Sequence, residues 1–209
     1  MSCWDQILPR REYSSEEPDE FVASSIKSLK RRRVSKALDL GCGAGRHLAY
    51  MARQGFQVCG IDLSLTGIDM ARGKLREQGL EALLVKCDMK ALPFINSLFD
   101  AVICTRTIYH QTLEEIRETI MEIRRVSTTK ALVAIDFLSK RTYSYGSGVE
   151  VERNTFIEQE GPEKGVLHHF TDEKELKELF EAFRTVNIKL QEREVNGKFR
   201  SRWIVTAMV

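Results

Sequence analysis

The chain is predicted to adopt an α/β fold: a mostly parallel, seven-stranded sheet that ends in an antiparallel hairpin and carries helices on both faces. Three observations predict it. Between residues 37 and 138, short apolar runs alternate with amphipathic stretches, the rhythm of strands joined by crossover helices. Several of those runs are too continuously apolar to have a wet face and belong in the middle of a sheet covered on both sides. Near the end, two strand-like segments flank Asn196-Gly197, a turn so short that the strands it joins must be antiparallel.

In chain order, Pro18 followed by Phe21, Val22, Ile26 and Leu29 reads as a helix, with proline in the first turn where a missing N–H costs little. The strands that follow are Ala37–Leu40, Gln57–Asp62, Ala82–Asp88, Phe99–Thr105 and Ala131–Leu138. Between them, Arg46–Gln54, Leu65–Gln78 and Leu113–Val126 have helical spacing. The last sets Ile116, Ile120 and Ile123 on one face. Gly55 and Gly79 stand where helices stop. Residues 139–170 break the rhythm, and Asn154–Glu160 and Gly165–Phe170 around Gly161-Pro162 suggest a small hairpin. Thr171 is the expected N-cap of a helix whose buried stripe is Leu176, Leu179, Phe180 and Phe183. Two strands close the chain, Thr185–Glu194 and Ser201–Val209.

At 209 residues one domain is expected, and 43% hydrophobic with 30% charged residues is an ordinary globular balance. No apolar run approaches the ~20 residues of a membrane-spanning helix. Met1 to Arg11 lacks an apolar secretory core, so a cytoplasmic location is expected. The five cysteines form no paired spacing, and Cys59, Cys87 and Cys104, inside apolar runs, read as small buried thiols. A net charge of +2 offers no global field for nucleic acid. The one basic run, Lys30-Arg31-Arg32-Arg33, reads as a solvated helix end.

The strongest local signal is Leu38-Asp39-Leu40-Gly41-Cys42-Gly43-Ala44-Gly45-Arg46-His47, a strand running into a glycine-rich turn and then a helix. Glycines at alternate positions let a ligand approach the main chain, and the following helix offers unpaired N–H groups. A dinucleotide fingerprint would place its third glycine at position 46, which is Arg46. About twenty residues on, Asp62 ends the second strand, where a carboxylate can accept from both hydroxyls of a ribose. Asp88-Met89 ends the third strand, and Phe99 to Thr105 forms the fourth. An aspartate at a strand end often only caps the next helix. Three of them in order with the glycine loop converge on one crevice, because open α/β sheets bind ligands at the carboxyl ends of their strands.

These residues resemble the class I S-adenosylmethionine-dependent methyltransferases, whose sheet is Rossmann-like and whose first motif is an acidic residue, one apolar residue and alternating glycines. The resemblance covers Ala37 to Leu138 well and the terminal hairpin more loosely. It implies S-adenosylmethionine as cofactor, with Gly41, Gly43 and Gly45 in backbone contact and Asp39 serving its ammonium end, directly or through water. It further implies Asp62 on the ribose, Asp88 near the adenine amino group, Leu63 and Met89 about the ring, and Thr105 and Arg106 beside the sulfonium. On this reading residues 1–33 are a lid or helix, 37–138 the donor-binding core, 139–170 a substrate-side insertion and 171–209 the closing helix and hairpin.

Tyr109 and His110, just past the fourth strand, are the candidate catalytic residues, for acceptor contact or for removing a proton from an oxygen or nitrogen nucleophile. Their alternative role is to cover the pocket. His168 and His169 lie in the insertion and, as neighbours on an extended segment, face opposite ways, so at most one enters the site and no metal site is expected. Trp4 and Tyr13 stand where relatives fold a mobile segment over the donor, with satellite apolar contact as the alternative.

No Asn/Asp-Pro-Pro-Tyr tetrapeptide follows the fourth strand, and there is no basic groove. A small-molecule acceptor with an oxygen, nitrogen or carbon nucleophile is therefore expected, with no nucleic-acid or membrane partner and a homodimer left open. The likeness is strongest to the broad group that methylates metabolites such as quinone precursors. Two other readings stand beside it: a non-catalytic S-adenosylmethionine sensor or partner subunit, and an NAD-dependent oxidoreductase, against which Arg46 and the hairpin count.

Overall fold

A computed structural model describes residues 2–10, 17–30 and 35–209. Its central strands are β1 (Lys36–Leu40), β2 (Gln57–Asp62), β3 (Leu83–Lys86), β4 (Phe99–Cys104) and β5 (Ser127–Ser139). They are parallel, in the order β3-β2-β1-β4-β5. The chain works outward from β1 to β3 and then crosses to the other side of β1, so a crevice opens beyond the carboxyl ends of β1 and β4.

The helices are α1 (Trp4–Ile7), α2 (Glu20–Lys30), α3 (Arg46–Arg53), α4 (Leu65–Glu77), α5 (Leu113–Val126) and α6 (Glu173–Leu179). Strand alternation sorts the core into two layers. Ala37, Ala101, Ile103 and Ala134 meet Val22, Ile26, Leu48, Met51 and Leu75 of α2, α3 and α4. Leu38, Val102, Val133, Ile135 and Phe137 meet Ile116, Ile120 and Ile123 of α5 and Leu176 of α6. Helices thus cover both faces, and α5 starts on a capping box in which Thr112 and Glu115 satisfy each other's backbone N–H.

The last two strands, β9 (Thr185–Val195) and β10 (Lys198–Met208), are antiparallel across Asn196-Gly197, and β10 runs antiparallel to β5. Both turn residues have positive φ, 52° and 70°, as a tight two-residue hairpin requires. With β1 to β5 these complete the expected seven strands.

The sheet is larger than expected by three strands, β6 (Val149–Glu152), β7 (Thr155–Ile157) and β8 (Leu167–Thr171). β7 and β8 form the hairpin around Gly161-Pro162, and β6 adds to its outer edge. β8 pairs in parallel with Leu138 and Ser139 of β5. Because β10 holds one edge of β5 and β4 has ended at Cys104 opposite Ile135, β8 takes the edge that β4 vacates. This sets β6 to β8 above the carboxyl ends of the parallel strands.

Three local expectations are corrected. The N-cap of α6 is Asp172, whose side chain accepts from Glu175 N–H, while Thr171 ends β8 and donates its hydroxyl to the Leu138 carbonyl. Cys59 and Cys104 are buried, but Cys87 is only half-buried. A four-residue helix, α1, precedes the expected first helix. Tyr13 and the side chains of the run Lys30 to Arg33 lie outside the described residues. Among those described, no helix is long and apolar enough to cross a membrane.

Gly45 is held by packing. Its φ is 81°, and a Cβ there would stand 2.8 Å from the Ala71 Cβ of α4. Gly45→Ala is therefore expected to cost about 1–3 kcal/mol of stability in urea denaturation, from left-handed strain plus overpacking. A variant as stable as the parent would contradict this packing role.

Candidate active site

A cavity of about 940 Å³ lies beyond the carboxyl ends of the parallel strands. Each strand contributes its exit to the lining: Gly41, Cys42, Gly43 and Ala44 after β1, Asp62 and Leu63 at β2, Asp88 and Met89 after β3, and Thr105 and Arg106 after β4. Tyr109, His110 and His168 line it as well. Asp39 and Gly45 are not among the lining residues.

The glycine turn is tied down by its own amides. Gly41 and Cys42 N–H both donate to the Ile61 carbonyl at 2.9 and 2.8 Å, Gly45 N–H donates to Cys42, and Gly43 N–H donates to the Asp62 carboxylate at 2.8 Å. The expectation that these N–H groups face a ligand is thus not met at these four positions. What the turn offers the cavity is main chain with no side chain at Gly41 and Gly43. A Cβ at Gly41 would come within 2.2 Å of Thr107, whereas one at Gly43 meets nothing closer than Leu8, at 3.5 Å. At Gly43 no neighbour excludes a Cβ, and its left-handed φ of 49° is what favours glycine.

The three predicted aspartates differ in standing. Asp62 is half-buried and joins two loops, accepting from Gly43 N–H with one oxygen and from Ser64 N–H with the other, each at 2.8 Å. Burial pushes its carboxyl up, and those amides pull it back. Asp88 caps its own turn by accepting from Lys90 N–H at 2.9 Å, and is otherwise partly exposed on the cavity wall. Asp39 sits beneath the turn at 1% exposure. Burial, reinforced by the Asp62 charge and opposed by Arg46, raises its carboxyl to about 7. Among the described residues, its Oδ2 is the one buried side-chain polar atom without a hydrogen-bond partner.

Across the floor runs an ion network that the sequence reading missed. Asp19 receives Arg46 at 3.0 Å and Arg106 at 2.9 Å, with Arg202 at 3.7 Å. Burial pushes the Asp19 carboxyl up, and the guanidinium groups of Arg106, Arg46 and Arg202 more than reverse this, holding it low. Asp136, toward the carboxyl end of β5, accepts from Arg202 at 2.9 Å and from Arg106 N–H at 2.7 Å. That second bond pins Arg106 at φ 54°, a left-handed conformation that a side chain adopts only when its surroundings compel it. His47 belongs to the same floor. Asp19 N–H donates to its Nε2 at 3.2 Å, so Nδ1 carries the proton and donates to the Thr105 hydroxyl at 3.0 Å. Burial pushes His47 down to about 3, which makes the 3.9 Å approach of the Asp19 carboxylate a contact with a neutral ring and not an ion pair.

The other end of the cavity is aromatic. Burial pushes the Tyr109 phenol well above its usual range, so it is a wall residue and a poor base. Its ring stacks on His168, with centroids 6.5 Å apart. His110 donates from Nδ1 to the Leu167 carbonyl at 3.0 Å, which leaves the lone pair on Nε2. Burial holds its pKa down near 4, with the neighbouring His168 adding to the effect. The alternation of β8 separates the adjacent histidines as expected: His168 lines the cavity and meets Glu163 at 2.7 Å, while His169 is fully buried between Thr155 and Glu175.

The N-terminal segment lies along one wall. Asp5 of α1 accepts from the Ser64 hydroxyl at 2.7 Å and from Thr66 N–H at 3.1 Å, Leu8 rests beside Gly43, and Trp4 meets the His110 ring edge-on at 4.7 Å. Arg10 then donates to the Pro162 carbonyl on the β7–β8 connection.

Residues 37–130 match the family described as methyltransferase domain. Residues 37–130 are thus a methyltransferase domain. It is 26% identical over 132 residues to a ubiquinone biosynthesis O-methyltransferase of Rickettsia canadensis, a match covering 63% of this chain and 53% of that protein. The chain spans about half the length of the first curated relatives it matches. An S-adenosylmethionine-dependent methyltransferase from Methanosarcina mazei superposes with a TM-score of 0.68 at 24% identity, over 83% of this chain and 92% of that one. The 1,6-didemethyltoxoflavin-N1-methyltransferase of Burkholderia thailandensis, solved with its substrate and S-adenosylhomocysteine, gives 0.71 at 21% identity over 96% and 81%. At such identities these two structures establish the methyltransferase fold.

The methyltransferase domain thus brings Gly41, Gly43, Asp62, Leu63, Asp88, Met89, Thr105, Arg106, Tyr109 and His110 to one cavity, with Asp39 below it and Gly45 turned into the helix packing. Asp136 carried a signal that a closer reading would have caught, a lone charge inside the apolar run Leu132-Val-Ala-Ile-Asp-Phe-Leu138. Asp19 and Arg202 carried none, because each pairs only across the tertiary fold.

Proposed function

We propose that this chain transfers the methyl group of S-adenosylmethionine to a small-molecule acceptor held beneath the β6–β8 layer. The observation that carries this reading is the unpartnered, buried Asp39 Oδ2 beside a glycine turn that lines the cavity. Leaving a buried carboxylate oxygen unmet costs about 1–3 kcal/mol, and an ammonium group above the turn, directly or through water, would relieve it. Asp62 then stands at the ribose, Leu63 and Met89 flank the adenine with Asp88 at its edge, and Thr105 and Arg106 border the sulfur.

S-adenosylmethionine supplies an activated sulfonium methyl group, so the protein's task is to align the acceptor and exclude water. Tyr109 walls the acceptor side as a neutral phenol. His110, neutral with its lone pair on Nε2, stands beside the acceptor space as a polar contact. The named activities of the relatives support an acceptor of metabolite size. The test is transfer of radiolabelled methyl from the donor to an extract of small metabolites. Label in a metabolite fraction is expected; donor binding with no transfer to any fraction would leave a sensor.

Asp39 sets a pH dependence. With its carboxyl raised to about 7, the free protein keeps that proton through the window between the ordinary carboxylate value and about 7, and loses stability as pH rises through it. A bound ammonium favours the ionised form, so donor affinity rises as pH climbs through the same window. Titrations of S-adenosylhomocysteine near pH 6 in two buffers of different ionisation enthalpy are expected to show about one proton released by the protein per ligand. No proton release would detach Asp39 from the donor.

A further inference from the structure

We propose that His110, His168 and Glu163 form a binding site for a divalent transition-metal ion at the acceptor end of the cavity. The three side chains come from two segments far apart in sequence, the turn after β4 and the β7–β8 hairpin, yet one ligand atom from each lies within 4.8 Å of the others. In zinc sites, bonds of about 2.0–2.2 Å set ligand atoms about 3–4 Å apart, so small side-chain rotations close the triangle. Two histidines and one carboxylate are a ligand set that zinc and the neighbouring divalent ions take with further positions open.

The surroundings have the features of a metal site. His110 donates its Nδ1 proton to the Leu167 carbonyl at 3.0 Å, the outer bond that orients a ligating imidazole and presents Nε2. That carbonyl belongs to the residue preceding His168, so the strand that supplies the second ligand also orients the first. Glu163 sits in a braced turn, where Val166 N–H donates to the Glu163 carbonyl and Gly165 N–H to that of Glu158. Its carboxylate meets His168 Nε2 at 2.7 Å, a contact that an ion would replace on both partners. Trp4 and Tyr109 wall the group, with ring centroids 4.7 and 4.6 Å from that of His110. All three ligands line the cavity, so an open coordination position faces the space assigned above to the acceptor. An acceptor bearing an oxygen or nitrogen donor would be held there.

The site's link to the acceptor rests on the proposed function, whereas ion binding itself does not. The test is titration of the chelator-treated full chain with cobalt(II), followed by visible absorption and by quenching of Trp4, with zinc as competitor. One equivalent is expected, with the intense bands of a four- or five-coordinate site, displaced by zinc. Glu163→Gln, nearly isosteric, and His168→Ala are each expected to weaken binding by about tenfold or more, with circular dichroism reporting the fold. Cys3→Ser, which removes an exposed thiol, should leave binding unchanged. Absence of saturable binding, or affinity unaltered in Glu163→Gln, would overturn the site. S-adenosylhomocysteine titrated into the same samples separates the two readings: cobalt bound with no donor binding would sink the proposed function and keep the metal site.

Discussion

Asp136→Ala is expected to cost the fold about 3–5 kcal/mol, the range for removing one partner of a buried ion pair. The Asp136 side chain is 2% exposed and serves two donors, the Arg202 guanidinium at 2.9 Å and the Arg106 amide at 2.7 Å. Without it, Arg202 keeps the neutral Gln191 Oε1 at 3.0 Å and, as its one carboxylate, a distant Asp19 at 3.7 Å, and Arg106 loses the bond that holds its left-handed backbone. Both losses fall on the cavity floor, so donor affinity in the surviving folded fraction should fall as well. Burial pushes the Asp136 carboxyl up despite Arg202. Asp136→Asn should therefore be milder, since its carbonyl still accepts from Arg106. Urea denaturation measures both variants. A loss below about 1 kcal/mol for the alanine variant would give this pair only the weight of a surface ion pair.

Asp62→Ala is expected to weaken S-adenosylhomocysteine binding by about 10- to 100-fold, the scale of one or two charge-assisted hydrogen bonds. The carboxylate is proposed to grip the ribose while it also braces the site by tying Gly43 to Ser64. Asp62→Asn separates the roles. Its amide still accepts from one of the two N–H groups but turns an NH2 toward the other, so the turn loosens even where the ribose retains a partner. A graded series, parent tighter than asparagine and asparagine tighter than alanine, is expected from calorimetry on protein with native circular dichroism. Unchanged affinity in the alanine variant would remove Asp62 from the donor site.

Much of the fold was legible because its elements carry their own periodicity. The strands Gln57–Asp62 and Phe99–Cys104 and the helix Leu113–Val126 stand within a residue of their predicted ends, since continuous burial on both sheet faces and a clean apolar stripe leave little latitude. The gathering of Gly43, Asp62, Asp88 and Thr105 at one rim follows from parallel topology alone. What stayed hidden depends on tertiary contact. Asp19 and Arg106 meet across 87 residues of sequence, and no local pattern announces such a pair. The strand Val149–Glu152 is short and largely exposed, with only alternating valine and glutamate to mark it. The glycines looked alike in sequence, yet a Cβ is excluded at Gly41 by Thr107 and at Gly45 by Ala71, and neither neighbour is close in the chain. The turn's amides were expected to face a ligand because the Ile61 carbonyl and the Asp62 side chain that engage them become neighbours only when β2 pairs with β1.

The most direct test is a crystal structure of the full chain grown with S-adenosylhomocysteine. The ligand is expected along the carboxyl rim of the sheet, its ammonium group over Gly41 to Gly43 above Asp39, its ribose hydroxyls on Asp62 and its adenine between Leu63 and Met89. Density for the ligand away from Asp62 and the glycine turn, or a rim that stays empty at saturating ligand, would contradict the assignment.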